Sequence, residues 1–171
     1  GEGWLFFAED GHEDLADIAD ETTAYSLIPG RFYINLEGRE PRGSVPQSAY
    51  DATRDELREM IEALEGPDGN PVVDRVVERE DAFFGDHEDI APDLVAIPND
   101  GFDLKAGFRG ADAVFDTGPR NGMHSFSDAC LFVDDADASI ENVDLFDVTP
   151  TVLSLMEIEY DGGAFDGRSL V

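Results

Sequence analysis

Basic residues are scarce in this 171-residue chain. It has 11 lysines and arginines against 40 aspartates and glutamates, and Lys105 is the only lysine. A chain without a basic stripe cannot release counterions from a phosphate backbone, which argues against binding to DNA or RNA. The same charge balance argues against an anionic membrane surface. We therefore expect an anionic substrate to be held by metal ions or by a local arginine.

Cysteine and long apolar runs are also lacking. The single cysteine, Cys130, has no partner for an internal disulfide, and its place in an apolar run predicts a small buried side chain. No apolar run approaches the length needed to cross a bilayer. The segment Trp4–Ala8 is too short for the apolar region of a signal peptide, and no charged region precedes it. These absences predict a cytoplasmic protein without a membrane partner.

Acidic residues are abundant and give a formal net charge of -29. At low salt, so many like charges repel one another and destabilise the compact state. At molar salt the screening length falls to about 3 Å, and the carboxylates then keep the surface hydrated without strong repulsion. The composition predicts a halophilic protein from a salt-loaded cytoplasm, and an acidic mesophilic protein is the alternative.

The spacing of apolar residues predicts strands that alternate with helices. Strands are predicted at Arg31–Leu36, Pro71–Arg79, Pro92–Pro98 and Ala129–Val133, and a turn at Asn99–Gly101. Such alternation is typical of an α/β domain, and the length suits one domain or domain fragment, residues 1–171.

Two helices are predicted. Between residues 47 and 64, four apolar residues recur at helical spacing, Leu57, Met60, Ile61 and Leu64. Ser48 is predicted to cap this helix, which Gly66 and Pro67 end. A later helix is predicted with Thr149 as its cap and Pro150 as its first residue. The tail Phe165–Leu170 is predicted to pack as a final turn on the body of the domain.

The most distinctive stretch is the loop Gly118–Asp128, which carries His124 beside Ser125 and ends in an apolar run. A neutral imidazole is a common metal ligand, and a glycine-rich approach lets the backbone come close to whatever the ring binds. The alternative is a surface histidine. His12 follows an Asp-Gly pair, which is first of all a turn signal, and His87 is predicted to be solvated.

A second loop concentrates arginines in a chain that has few. Arg39 and Arg42 follow the predicted strand that begins at Arg31. The planar fork of arginine suits phosphate recognition, so Arg39 is a candidate substrate contact. A salt bridge to one of the many acids is an equally good interpretation.

Three stretches together resemble the alkaline phosphatase superfamily. Tyr33-Ile34-Asn35-Leu36-Glu37-Gly38-Arg39-Glu40-Pro41 resembles a motif of its type I phosphodiesterase and nucleotide pyrophosphatase branch. Gly122-Met123-His124 is similar to the late Gly-x-His metal motif of the superfamily. Asp147–Leu153, followed by Asp166–Leu170, is similar to the helix and tail that close the fold. Sulfatases and cofactor-independent phosphoglycerate mutases share the chemistry, but the first motif favours the phosphodiesterase branch.

The resemblance implies the C-terminal part of a three-layer α/β/α sandwich and a phosphohydrolase with two divalent metal ions, zinc or manganese. Two metals serve this chemistry because they activate the nucleophile and neutralise the phosphoryl oxygens. His124 would be a ligand of one metal, and Asn35 and Arg39 would form part of the pocket wall around a phosphate ester or nucleotide.

The residues that the family uses as nucleophile and as its other metal ligands lie N-terminal to the matched region, and this chain does not contain them. Asp10-Gly11-His12 has the wrong order for the family's Asp-His-Gly motif, and Ser125 would need an adjacent base or metal to act as a nucleophile. Two interpretations follow. The chain is the C-terminal part of a hydrolase that needs its N-terminal half as a partner, or it is a non-catalytic binding or assembly domain that retains the fold.

Overall fold

The computed structural model describes residues 18–105, 115, 122, 129–134 and 141–171. The chain divides into two compact units, residues 1–126 and 127–171. The first contains a four-stranded sheet with a covering helix, and the second contains a short helix and the C-terminal tail. The fold therefore mixes helices and strands, as the α/β prediction requires.

The sheet of the first unit is antiparallel throughout. Its strands are β1 (Ala24–Ile28), β2 (Arg31–Ile34), β3 (Val73–Glu78) and β4 (Leu94–Pro98), in the spatial order β1-β2-β4-β3. The predicted strands at Arg31–Leu36, Pro71–Arg79 and Pro92–Pro98 are thus confirmed, although β2 ends earlier, β4 begins later and β3 is shorter at both ends. The predicted turn after β4 is also confirmed, with Gly101 in the left-handed region at φ +94°.

The turn between β1 and β2 depends on glycine. Gly30 has φ +70°, a conformation that residues with a Cβ rarely adopt. A Cβ at this position would lie 2.7 Å from the carbonyl oxygen of Ala96 on β4. The close approach lets the Ala96 N–H donate to the Gly30 carbonyl at 2.7 Å, which fixes β4 beside the hairpin.

One helix, α1 (Tyr50–Glu62), covers one face of the sheet after a 3-10 turn at Gln47–Ala49. It buries Leu57 and Ile61 against a core that includes Ile34 and Leu94, both with no exposed surface. The helix prediction is confirmed, because apolar residues at i and i+4 share one face. The predicted cap is wrong. Neither the 3-10 turn nor α1 has a side-chain cap, and the chain enters α1 directly from the 3-10 turn.

The prediction of a strand at Ala129–Val133 is wrong. Residues 129–134 have no regular structure and pair with no strand among the described residues. Cys130 is exposed rather than buried, and Phe132 is 88% exposed. A short apolar run does not become a strand without a neighbouring strand to satisfy its backbone. His87 is exposed, in agreement with its prediction.

In the second unit, a 3-10 turn (Leu145–Asp147) leads into α3 (Val148–Leu155). Asp147 is buried, and its carboxylate accepts the backbone N–H of Asp144 at 2.9 Å and that of Arg168 at 2.8 Å. Thr149, predicted to cap the helix, lies inside α3 instead. Asp144 and Asp147 form a reciprocal capping box one turn earlier, so the helical segment begins before the proline.

The tail packs on α3, as predicted. Buried Thr151 accepts the Leu170 N–H at 3.1 Å, and Leu170 itself is 2% exposed. A Cβ at Gly167 would lie 2.2 Å from the carbonyl group of Phe146, so only glycine allows this approach. No helix in the described part of the chain is long and apolar enough to cross a membrane.

Candidate functional site

The loop that carries the phosphodiesterase-like motif is held by its own side chains. The Asn35 amide is 2% exposed and donates to the carbonyl oxygens of Thr22 at 2.8 Å and Arg42 at 2.7 Å. Glu40 accepts the Leu36 N–H at 3.0 Å and so closes the turn from inside. Each bond uses a residue of the motif, which explains why the turn depends on this order of residues.

Asp93 is the centre of the site. It lies one residue before β4 and has no exposed surface. Arg39 donates to both carboxylate oxygens, from Nη1 to Oδ1 at 2.8 Å and from Nη2 to Oδ2 at 2.6 Å. The Ile34 N–H donates to Oδ2 at 2.7 Å, and the Tyr50 hydroxyl donates to Oδ1 at 2.6 Å. A buried carboxylate is tolerated only when it is paired in this way.

Burial and hydrogen bonding oppose each other at Asp93. Burial alone would raise its pKa, but the bonds from Arg39, Tyr50 and the Ile34 N–H hold the pKa below its usual range. The pKa of Tyr50 is raised to about 12, first because the ring is buried and then because its hydroxyl donates to the carboxylate. Asp93 therefore stays ionised and Tyr50 stays neutral at any physiological pH.

A second arginine completes the cluster. Arg79, the first residue of α2 (Arg79–Ala82), has Nη1 3.3 Å from Asp93 Oδ1 and donates from Nη2 to the Tyr50 hydroxyl at 3.0 Å. Its guanidinium lies 5.9 Å from the centre of the Tyr50 ring, within cation–π range. Asp93 thus orients two guanidinium groups, from the β2 loop and from α2.

Both arginines face an open groove of about 790 Å³. The motif turn forms one wall, and the segment after α2 forms another. The lining residues are Leu36, Glu37, Gly38, Arg39, Gln47, Arg79, Gly85, Asp86, Glu88 and Asp89. The groove therefore combines two oriented guanidinium groups with a rim of carboxylates.

Of the two residues predicted to contact the substrate, Arg39 lines the groove and Asn35 does not. Asn35 holds the loop through its amide hydrogen bonds. Arg39 lines the groove and also forms an ion pair with Asp93. A salt bridge to an acid was the alternative interpretation of Arg39 from the sequence. His124, the predicted metal ligand, lies outside the described residues, as do His12 and Ser125. Within the described ranges, no group of three or more histidine, cysteine or acidic side chains is arranged to hold a metal ion. The described residues therefore do not by themselves form the expected two-metal site.

Sequence reasoning missed Asp93, Tyr50 and Arg79. A signal existed for Asp93, because it is the one acid within the apolar stretch Pro92–Pro98, and a buried charge requires a partner. No local signal joined it to Arg39 or to Tyr50, which are 54 and 43 positions away.

Comparison of the chain with protein-family models, curated proteins and solved structures finds no match.

Proposed function

We propose that this chain is the C-terminal part of a metal-dependent phosphohydrolase of the phosphodiesterase and nucleotide pyrophosphatase branch of the alkaline phosphatase superfamily. Its substrates are phosphate esters or nucleotides, and its fold is the C-terminal part of a three-layer α/β/α sandwich. His124 is a ligand of one of two divalent metal ions, zinc or manganese. Arg39 belongs to the pocket wall, and the buried Asn35 lies behind it and holds the loop that carries Arg39. The nucleophile and the remaining ligands come from an N-terminal half.

The observation that carries the proposal is that hydrogen bonds and an ion pair hold the motif loop around the buried Asp93 carboxylate. Burying a carboxylate without partners costs roughly several kcal/mol. A chain therefore retains a buried carboxylate where that carboxylate holds its partners in a fixed geometry. Here the partners are Arg39, within the phosphodiesterase-like motif, and Arg79, and both line the groove. Two oriented guanidinium groups beside one groove favour an anionic ligand, and a phosphate ester is the anion that the motif implies.

The first experiment is the intact mass of the protein isolated from its native source with an antibody raised to this chain. The proposal predicts a mass above 18.7 kDa by the size of an N-terminal domain, or a stable partner of that size. A native protein that has the mass of this chain and no partner would rule out hydrolysis by the family mechanism.

Hydrolysis is then measured on that native-length protein with bis(p-nitrophenyl) phosphate and either zinc or manganese. The variant His124→Ala is expected to lose most activity and to bind less metal. The variant His87→Ala is the matched control, because His87 is exposed and does not line the groove. Equal activity in both variants would remove His124 from the metal site.

A non-catalytic binding or assembly domain is the second candidate, and the second unit supplies the observation that favours it. Large apolar side chains there are exposed, with Leu145 at 83%, Met156 at 63% and Phe132 at 88%. Such exposure is typical of a surface that another protein covers. Metal affinity distinguishes the candidates, since a lone imidazole binds weakly whereas a completed site needs three or more ligands per metal.

A further inference from the structure

We infer that the groove is a phosphate-binding site and that Arg79, rather than Arg39, makes its principal contact with the anion. This inference names a substrate contact of the proposed phosphohydrolase and therefore rests on that function for the identity of the ligand.

The first argument is the number of N–H groups of each guanidinium that remain available to donate to a bound anion. Arg39 has five, and four are used: Nε donates to Glu40, Nη1 to Asp93, and Nη2 to both Asp93 and the Ile34 carbonyl oxygen. Arg79 uses one of its five, from Nη2 to the Tyr50 hydroxyl, while Nη1 makes a longer ion pair with Asp93 at 3.3 Å and Nη2 lies 3.9 Å from the half-exposed Glu80 carboxylate. Among the described residues, its other N–H groups have no hydrogen-bond partner. Arg79 can therefore form the fork that a phosphate accepts, whereas Arg39 cannot.

The second argument is that Arg79 is already held in place. Its side chain is only 15% exposed, since it packs against the Tyr50 ring and is anchored by Asp93. An arginine fixed before the ligand arrives loses little conformational entropy on binding, which improves affinity. Tyr50 and Asp93 are positioning residues in this arrangement, because they act on the ligand through Arg79.

The third argument concerns the acids at the rim. Of the four acids that line the groove, Glu37, Asp86 and Asp89 are exposed and Glu88 is half-buried, so the repulsion of an anion by the three exposed acids is screened within about 3 Å at molar salt. The arginines are mostly buried, and interactions at partly buried sites are screened much less. In a salt-rich solution the groove therefore attracts a small anion that reaches the guanidinium groups.

The test is a titration of the complete 171-residue chain with inorganic phosphate in about 2 M KCl, the salt range in which the rim is screened. The arginine side-chain Nε–Hε signals are followed by NMR. We expect saturable shifts centred on Arg79, and binding weakened about tenfold or more in Arg79→Gln, since a hydrogen bond to a charged group is lost. Arg79→Lys keeps the charge without the fork, and we expect it to bind with intermediate affinity.

Arg54→Gln is the matched control. Arg54 stacks on the same Tyr50 ring, at 5.2 Å from its centre, but it does not line the groove. Phosphate affinity should be unchanged in this variant. Non-saturable shifts in the parent chain, equal losses in Arg54→Gln and Arg79→Gln, or full affinity in Arg79→Lys and Arg79→Gln would each overturn the inference.

The two proposals fail in different ways. Saturable phosphate binding through Arg79, together with a native protein that hydrolyses no phosphate ester, would retain the anion site and reject the enzyme. Hydrolysis by the native-length protein, with KM unchanged in Arg79→Gln, would retain the enzyme and reject this contact.

Discussion

At the residue scale, one carboxylate determines the geometry of the site. Asp93 binds Arg39, Tyr50 and the Ile34 N–H, and it lies within ion-pair distance of Arg79. These groups come from β2, the loop after it, α1 and α2. A single buried charge thus joins β4 to three other regions of the chain, β2 with its following loop, α1 and α2, so its removal is expected to affect the fold as well as the groove.

Asp93→Asn is expected to lower the free energy of unfolding by about 3–5 kcal/mol, because it removes the buried charge that Arg39 and Arg79 share and leaves Arg39 with Glu40 as its one remaining charged partner among the described residues. Urea denaturation in high salt measures the change. The control is Asp74→Asn, since Asp74 and its partner Arg75 are both about half exposed, and a change within about 0.5 kcal/mol is expected there. Similar losses in the two variants would show that Asp93 has no special role.

The same variant gives a pH prediction. The pKa of Asp93 is lowered by folding, so its ionised form contributes stability above its unfolded pKa of about 3.9. That contribution is lost as the pH falls through the folded pKa. The difference in unfolding free energy between the parent and Asp93→Asn should therefore be constant near neutral pH and shrink below about pH 4. A difference that stays constant in acid would contradict the lowered pKa.

At the element scale, the sequence predicts the helices and strands that depend on local apolar spacing. It fails for features that depend on contacts between segments distant in sequence. The helix α1 and the strands β2, β3 and β4 follow from local apolar spacing, and all four are present. The apolar run at Ala129–Val133 has the same local character, but it has no neighbouring strand among the described residues. The bonds of Asp93 to Arg39 and Tyr50 could not be predicted either, since they join residues 54 and 43 positions apart.

The tail of the second unit gives a prediction at this scale. The Thr151 hydroxyl donates to the Asp147 carbonyl oxygen at 2.6 Å and accepts the Leu170 N–H, and all three residues are buried. Thr151→Val keeps the shape but leaves the Leu170 N–H without a partner, at a cost of about 1–3 kcal/mol. Hydrogen exchange of the Leu170 amide should become much faster.

Ser154→Ala is the control for this prediction, because the Ser154 hydroxyl contacts only the Tyr160 hydroxyl, at 3.2 Å, and does not hold the tail. The Leu170 amide should exchange at its parent rate in this variant. If Thr151→Val also leaves that rate unchanged, the tail is held by packing of the Leu170 side chain instead.

At the scale of the whole molecule, charge dominates. A net charge of -29 on 171 residues produces self-repulsion that opposes the compact state, since few basic residues are available to offset it. Most of the arginines in the described part of the chain are paired with acids, including Arg54 and Arg58 with Glu78. The exposed face of α1 carries further acids, Glu56, Glu59 and Glu62, that form no ion pair with the described residues, and these acids contribute repulsion that salt can remove.

The last prediction is that stability rises with salt because of this repulsion. The midpoint of thermal unfolding should increase from about 0.1 M to about 2 M KCl, as the screening length falls from about 10 Å to a few ångström. Replacing Glu56, Glu59 and Glu62 of α1 with Gln should make the increase smaller, because all three are exposed. Replacing the same three with Asp keeps the charge and should preserve the full increase. A parallel series in sucrose separates screening from strengthened apolar burial, since sucrose is excluded from the surface but does not screen charge. If the Gln and Asp variants respond to KCl alike, the acidic surface of α1 does not cause the salt dependence.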